Sequence, residues 1–441
     1  MKKLFVSVFS LVLVASCSHK NDIVGNTSVT LWPDGKKSAI SITYDDGTIN
    51  QFTVARPIMN EVGFPGTFYI LTGKIEGSAK GKFIGRPLQK IIDESVTVST
   101  NEQNFFERAS AIAYTGSTEA VDYHTRAGAL FEAGKVQEAY ELIDEGYAKL
   151  RSGELILKKE INYHDNETDT TTWEDLKTYA AEGHEIASHT ITHPRLAVLD
   201  EQNLLYELEQ SKADIRKFLG PEYTFSAECP YGTEDERVMD YAYDVYPALR
   251  NRMPAYYLEE LNRSNKTFPG SSKKEYVQWQ RGPLTDVSMD VMKSWVDTCL
   301  SHKNIWLVLV FHGIDGIGWE PRTGNELKEY FSYIKEKEKD IWVATFADVT
   351  KYIRLRKSVV IDSQWNNDEI DVNITTVMDT EVYNVPLTMK TYIPSEWRRV
   401  ILESDNSTHS GDLKILKDDK GSYVLYDHPS QEWNYVLKEG F

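Results

Sequence analysis

Between residues 173 and 354, apolar segments of strand length alternate with amphipathic segments of helix length, and this alternation restricts the chain to few folds. Trp173 to Glu182, Glu201 to Leu219, Val238 to Val245, Val287 to Ser301, Gly324 to Glu338 and Ala347 to Arg354 read as helices. His184 to Ser188, Tyr223 to Ala227, Ala248 to Asn251, Ile305 to Phe311 and Ile341 to Phe346 read as the strands between them. Upstream, Lys37 to Tyr44 and Thr67 to Leu71 add two more buried strands. Continuously apolar strands separated by helices predict an α/β fold: a parallel sheet or barrel covered by helices.

Two regions break the pattern. From about 86 to 166 the sequence is helical and charged, and residues 127–150 read as a helical hairpin around Gly134, faintly similar to one tetratricopeptide unit. One repeat cannot bury its own apolar face, so an insertion packed on a larger domain is expected, as a structural lid rather than a partner-binding module. Beyond Ser358, short alternating segments such as Ile370 to Ile374 are split by Asn, Asp, Gly and Pro. They predict a small C-terminal β-sandwich over 357–441, with bracing preferred to glycan binding as its role.

The first residues speak to location. Lys2 and Lys3 precede the short apolar run Leu4 to Val14, which ends in Ala15-Ser16-Cys17. That is the layout of a secretory signal, too short for a permanent membrane span. Val-Ala-Ser-Cys resembles a bacterial lipobox, so 1–17 is expected as a signal peptide with Cys17 acylated and 18–35 as a polar tether. The expected location is the envelope of a Gram-negative-type bacterium, on a periplasmic or outer surface, with the lipid as the only membrane contact. Of 3 cysteines, Cys229 and Cys299 then remain, too few for a disulfide framework. A formal charge of −18 repels phosphate backbones and argues against nucleic acid as a partner.

Three segments that carry candidate chemistry follow expected strands, where barrel and α/β folds place their sites. Thr43-Tyr44-Asp45-Asp46-Gly47 offers adjacent carboxylates, although Asp-Asp-Gly also makes an ordinary turn. His189 and His193, in His189-Thr190-Ile191-Thr192-His193, have the spacing that on a helical turn aims two imidazoles at one ion. His184 is expected to be structural. Leu309-Val310-Phe311-His312 puts a single His at a strand exit, suited to a general acid, with Leu309 and Val310 as walls for a methyl group.

In this order, TYDDG (43–47), HTITH (189–193), ECPYG (228–232) and LVFH (309–312) resemble the motifs of the polysaccharide deacetylase family, over about residues 35–356 without the insertion. The resemblance implies a distorted (β/α) barrel, here spanning 36–356, and a divalent metal: zinc first, with cobalt, nickel or manganese as alternatives. It implies Asp46, His189 and His193 as metal ligands, Asp45 as general base, His312 as general acid and the backbone N–H of Tyr231 as an oxyanion donor. The implied reaction removes acetyl groups from an N- or O-acetylated polysaccharide or oligosaccharide. The competing reading is a non-catalytic glycan-binding lipoprotein on the same fold.

One position departs from the family pattern. Where the family carries the Arg that orients its base, this chain has Glu228, and a carboxylate pointing inward there would disfavour ionised Asp45. Arg281, in Trp279-Gln280-Arg281-Gly282, is expected to supply the missing cation from another strand. Trp279 and Trp319 are candidates for stacking on sugar rings.

Overall fold

The computed structural model describes residues 23–115, 117–156, 171–258, 260–263, 269–404, 411–431 and 433–440. The expected signal peptide, Cys17 and residues 157–170 lie outside the described residues. The chain divides into two compact units: Leu31–Lys357 with Asp379–Val385, and Met1–Thr30 with Ser358–Met378 and Pro386–Phe441.

After a short strand β1 (Thr27–Val29) of the smaller unit, the larger unit carries nine strands. They are β2 (Ser38–Tyr44), β3 (Thr67–Ile70), β4 (Glu185–Ser188), β5 (Ser226–Ala227), β6 (Ala248–Leu249), β7 (Leu261–Asn262), β8 (Val277–Arg281), β9 (Ile305–Phe311) and β10 (Ile341–Val343). The sheet order is β6-β5-β4-β3-β2-β9-β8-β7, with β10 running beside the start of β2. Every one of these pairings is parallel. Parallel neighbours need crossover connections. Helices supply most of them: α1 (Arg56–Val62), a group of four in the insertion, α6 (Trp173–Ala181), α7 (Glu201–Phe218), α8 (Glu236–Val245), α9 (Met289–His302) and α10 (Gly324–Lys335), and α11 (Phe346–Ser358) follows the last strand. This is the helix-covered parallel sheet or barrel that the alternation predicts, in the distorted (β/α) form that the resemblance implies.

The two faces of each strand have different fates, because successive side chains point to opposite sides. Ile40, Ile42 and Tyr44 of β2 and Leu307, Leu309 and Phe311 of β9 pack with α9 and α10 in one core. Ala39 of β2 and Trp306 and Val308 of β9 join Ala248 and the apolar face of α11 in another, inside the barrel. At the strand starts the interior is polar but satisfied. The buried Glu185 accepts from Thr67 Oγ1 at 2.9 Å, Ser226 Oγ at 2.5 Å and the Ala347 amide at 2.9 Å. Leu309 therefore faces the helical layer and cannot wall a substrate pocket, whereas Val310 can.

The insertion is a four-helix unit rather than a lone hairpin. The helices α2 (Leu88–Glu94), α3 (Phe105–Ala113), α4 (Thr118–Glu132) and α5 (Val136–Ser152) enclose their own core around Phe105, Ile112, Ala127 and Ile143. The α4–α5 hairpin turns at Gly134 (φ +76°), as read from the sequence.

The smaller unit holds two antiparallel sheets. One has the order β1-β13-β17-β16, with β13 (Leu387–Ile393), β16 (Leu416–Lys417) and β17 (Ser422–His428). The other has the order β11-β12-β18-β14-β15, with β11 (Val360–Trp365), β12 (Glu369–Thr375), β14 (Val400–Ser404), β15 (Gly411–Leu413) and β18 (Trp433–Glu439). Tyr426 of β17 meets Tyr435 of β18 with ring centroids 5.2 Å apart, so the sheets face each other as a sandwich. The tether expected over 18–35 needs correction at its far end. Thr27–Val29 pairs with Met389–Thr391, and Trp32 is fully buried in the barrel against Tyr276. The apolar Val29 and Trp32 have partners to bury against, which a free tether lacks.

Candidate active site

The side-chain alternation that builds the barrel also delivers the site. Asp45 continues the inward series Ala39, Ser41, Thr43 one step past β2, and His312 continues Trp306, Val308, Val310 one step past β9. The Asp45 amide donates to the Phe311 carbonyl at 3.0 Å, extending the β2–β9 ladder to the point where both chemical groups emerge. Gln51, fully buried, ties these ends together, its Nε2 donating to the carbonyls of Asp45 (2.5 Å) and His312 (2.8 Å). His312 Nε2 stands 3.5 Å from Asp45 Oδ2.

Asp46, His189 and His193 converge. His193 Nε2 is 3.5 Å and His189 Nε2 is 3.7 Å from Asp46 Oδ1, and all the donor atoms lie within 4.8 Å of one another. Donors about 2.1 Å from a tetrahedral ion stand roughly 3.4 Å apart, so the trio fits a divalent metal of the zinc type. The tautomer fits too. His189 Nδ1 lies 2.9 Å from the Glu228 carbonyl, which only accepts, so Nδ1 carries the proton and the Nε2 lone pair faces Asp46. Burial, the main influence, lowers the His189 pKa and favours the neutral ring that a metal needs.

The route to this convergence differs from the one expected. His189 and His193 do not share a helical turn; Thr190 (φ +72°) and His193 (φ +62°) are left-handed, as is Asp46 (φ +77°). Such backbone costs about 1–3 kcal/mol per residue and persists where its surroundings over-determine it. Here Glu207 of α7 helps, buried and accepting from the Ile191 and Thr192 amides (2.8 and 3.0 Å) and the Thr192 hydroxyl (2.6 Å). A Glu in the stripe Leu204-Leu208-Ser211-Ile215 was the visible sign of that role.

Asp45 is 3% exposed, and burial alone would raise its pKa; instead the Arg250 guanidinium, helped by His312, holds it well below the usual carboxylate range. Arg250 grips it with two parallel bonds, NH1 to Oδ1 at 2.5 Å and NH2 to Oδ2 at 2.7 Å. Glu228 does point inward, 2.9 Å from Arg250 NH2, and takes a bond of 2.6 Å from Asn251 Nδ2. Burial, with the charges of Glu234 and Asp45, pushes its pKa well up. One guanidinium thus faces two buried carboxyls, and it holds the pKa of Asp45 down while burial pushes that of Glu228 up.

The cation is therefore Arg250, not Arg281. Arg281 shares the alternation of Val277 and Trp279, which face the helical layer, so it stacks over Trp279 (4.3 Å) and donates to the Gln280 carbonyl (2.6 Å). Inward-facing Gln278 and Gln280 hold the Arg250 carbonyl instead, at 2.5 and 3.0 Å. Trp279 is a core residue, 5% exposed, whereas Trp319 is 56% exposed beside His312. Trp319 and Tyr231 border a pocket of about 580 Å³ that reaches Asp45, Asp46, both metal-type histidines and His312. His184 is structural, accepting from the Gly66 amide at 3.0 Å.

The family model described as polysaccharide deacetylase matches residues 155–246, the stretch that holds HTITH and ECPYG. That match agrees with the resemblance carried by the motifs, over the part of the chain that it covers. Among curated proteins, a gellan lyase from Bacillus sp. is 27% identical over 270 residues, covering 56% of this chain and 10% of that protein. The chain thus spans about a tenth of the length of the relative it matches. Similar solved structures include a peptidoglycan deacetylase from Bacillus subtilis, at 11% identity and a TM-score of 0.31, covering 73% of this chain and 93% of that one. A family 4 carbohydrate esterase from Bacillus anthracis is another, at 13% identity and 0.32, covering 75% and 86%.

If Arg250 sets the charge of Asp45, Arg250→Met leaves burial in control and the Asp45 carboxyl titrates above the ordinary carboxylate range. Carbon-13 NMR of labelled aspartate checks this, and an Asp45 that still titrates below that range contradicts it. Removing one partner of a buried pair also lowers unfolding free energy, by about 3–5 kcal/mol.

Proposed function

We propose that the protein is a metal-dependent hydrolase that removes acetyl groups from an N- or O-acetylated polysaccharide or oligosaccharide. The observation that carries this reading is the Asp46, His189 and His193 trio opening into the same pocket as a charged Asp45 and His312. A divalent ion held by the trio supplies a Lewis acid and lowers the pKa of water from about 15.7 towards 7. Zinc suits this nitrogen and oxygen donor set, with cobalt, nickel or manganese as alternatives.

The remaining work falls to the chain. Asp45, kept ionised by Arg250, accepts the proton of the attacking water. The Tyr231 N–H is the donor for the developing oxyanion, a kind of contact worth about 3–4 kcal/mol in the transition state. His312 gives a proton to the leaving nitrogen or oxygen. Val310 contributes an apolar wall for the acetyl methyl, and the exposed faces of Trp319 and Tyr231 suit a sugar ring. The gellan lyase relative, by its name, acts on gellan, which agrees with a glycan substrate. The non-catalytic alternative rested on Glu228, and it loses that support once Arg250 serves the base from the next strand.

The same reading includes acylation at Cys17 and attachment to the cell envelope, supported by the lipobox-like start of the chain. A Cys17→Ser chain is then expected in the soluble rather than the membrane fraction, and one still pelleting with membranes contradicts the anchor. For the activity, acetate release from acetylated chitin, peptidoglycan and xylan fragments is expected from the metal-loaded protein. A chelator should abolish it, zinc should restore it, and Asp46→Ala should lower it at least about a hundredfold. Release that persists unchanged in chelator, or sugar binding without any release, contradicts the proposal.

A further inference from the structure

The insertion does not merely lie over the barrel. One face of α4 presents His124, Gly128 and Glu132, and each meets Arg195, two residues past His193. His124, fully buried, receives the Arg195 amide on Nε2 at 3.0 Å, while its Nδ1 bonds the Ala109 carbonyl of α3 at 2.9 Å. The carbonyl can only accept, so this imidazole is neutral with its proton on Nδ1, and burial, which lowers its pKa to about 4, keeps it so. Glu132 takes a 2.5 Å ion pair from Arg195 NH1. The Arg195 stem runs over Gly128, where an added Cβ would stand 2.5 Å from its Cδ. The Arg195 guanidinium lies 4.3 Å from the Tyr231 ring, whose other neighbour is the His193 ring at 4.6 Å.

His193 and Tyr231 are both left-handed (φ +62° and +60°), so each needs external restraint to hold its place. We propose that α4 is that restraint: it clamps the turn after His193 and the Tyr231 ring, and His124 is a positioning residue for the metal site. The inserted helices then form part of the active centre, and metal affinity depends on a helix that contributes no ligand. This rests on the metal-site reading above. Partners of this kind typically change metal affinity by about 10- to 100-fold when removed.

The test uses the full chain and zinc, titrated against a chromogenic chelator. His124→Ala is expected to weaken zinc binding about 10- to 100-fold. His124→Gln, whose side-chain oxygen can accept from the Arg195 amide, should recover most of it. Leu142→Ala, which opens the insertion's own core without touching Arg195, serves as the stability control and should lower Tm but leave zinc affinity unchanged. Parent-like zinc binding in His124→Ala, or a loss that Leu142→Ala reproduces, overturns the clamp. If the parent itself binds no zinc, the metal reading fails, and nitrogen-15 NMR of the metal-free His193 ring decides the clamp. A shifted or broadened ring signal in His124→Ala supports it, and an unchanged one overturns it.

Discussion

A carboxylate 3% exposed stays ionised only beside a compensating charge, and Arg250 gives that charge to Asp45 through two bonds of 2.5 and 2.7 Å. Much of the site depends on this pair. It sets two neighbouring buried carboxyls apart, since Glu228 meets the same guanidinium yet has its pKa pushed up by burial, while that of Asp45 is held down. The backbone of Glu228 has a separate task, orienting His189 through the 2.9 Å bond to its carbonyl. The family pattern puts its Arg where this chain has Glu228. Here the cation has moved one strand along, to the end of β6, with the charge still directed at Asp45.

That relocation is possible because the strands obey one alternation. Asp45, His189, Glu228, Arg250 and His312 all follow inward-facing positions at the C-terminal ends of parallel strands, so each is delivered to one mouth of the barrel. The same rule turns Leu309, Trp279 and Arg281 to the helical layer. Buried Glu and Gln at inward positions hold neighbouring backbone groups: Glu185 the Ala347 amide at the strand starts, Gln278 and Gln280 the Arg250 carbonyl.

Much of this was legible before any coordinates. The helix and strand alternation set the barrel, and the four ordered segments named the residues that meet in the pocket. Arg250 was missed because a lone Arg inside a short expected strand, Ala248 to Asn251, carries no motif. Its signal was positional: it lies two residues past the inward Ala248, whereas Arg281 lies two past the outward Trp279. Strand register, not residue type, separates them. The turn between His189 and His193 was misread as helical because spacing alone does not reveal the left-handed Thr190 and His193. The strand Thr27–Val29 was invisible for another reason: its partner, Met389–Thr391, lies hundreds of residues away. The role of α4 was hidden because its contacts with Arg195 and Tyr231 are tertiary, and a helical face reads the same whether it covers a core or a catalytic wall.

The account holds together only if one ion joins Asp46 to two imidazoles from a strained turn. X-ray absorption spectroscopy of the zinc-loaded protein addresses this directly. The prediction is a first shell of nitrogen and oxygen at about 2.0–2.2 Å with the multiple-scattering signature of two imidazoles, reduced to one in His193→Ala. A shell of oxygen alone, a sulfur at about 2.3 Å, or a spectrum unchanged by that substitution contradicts it.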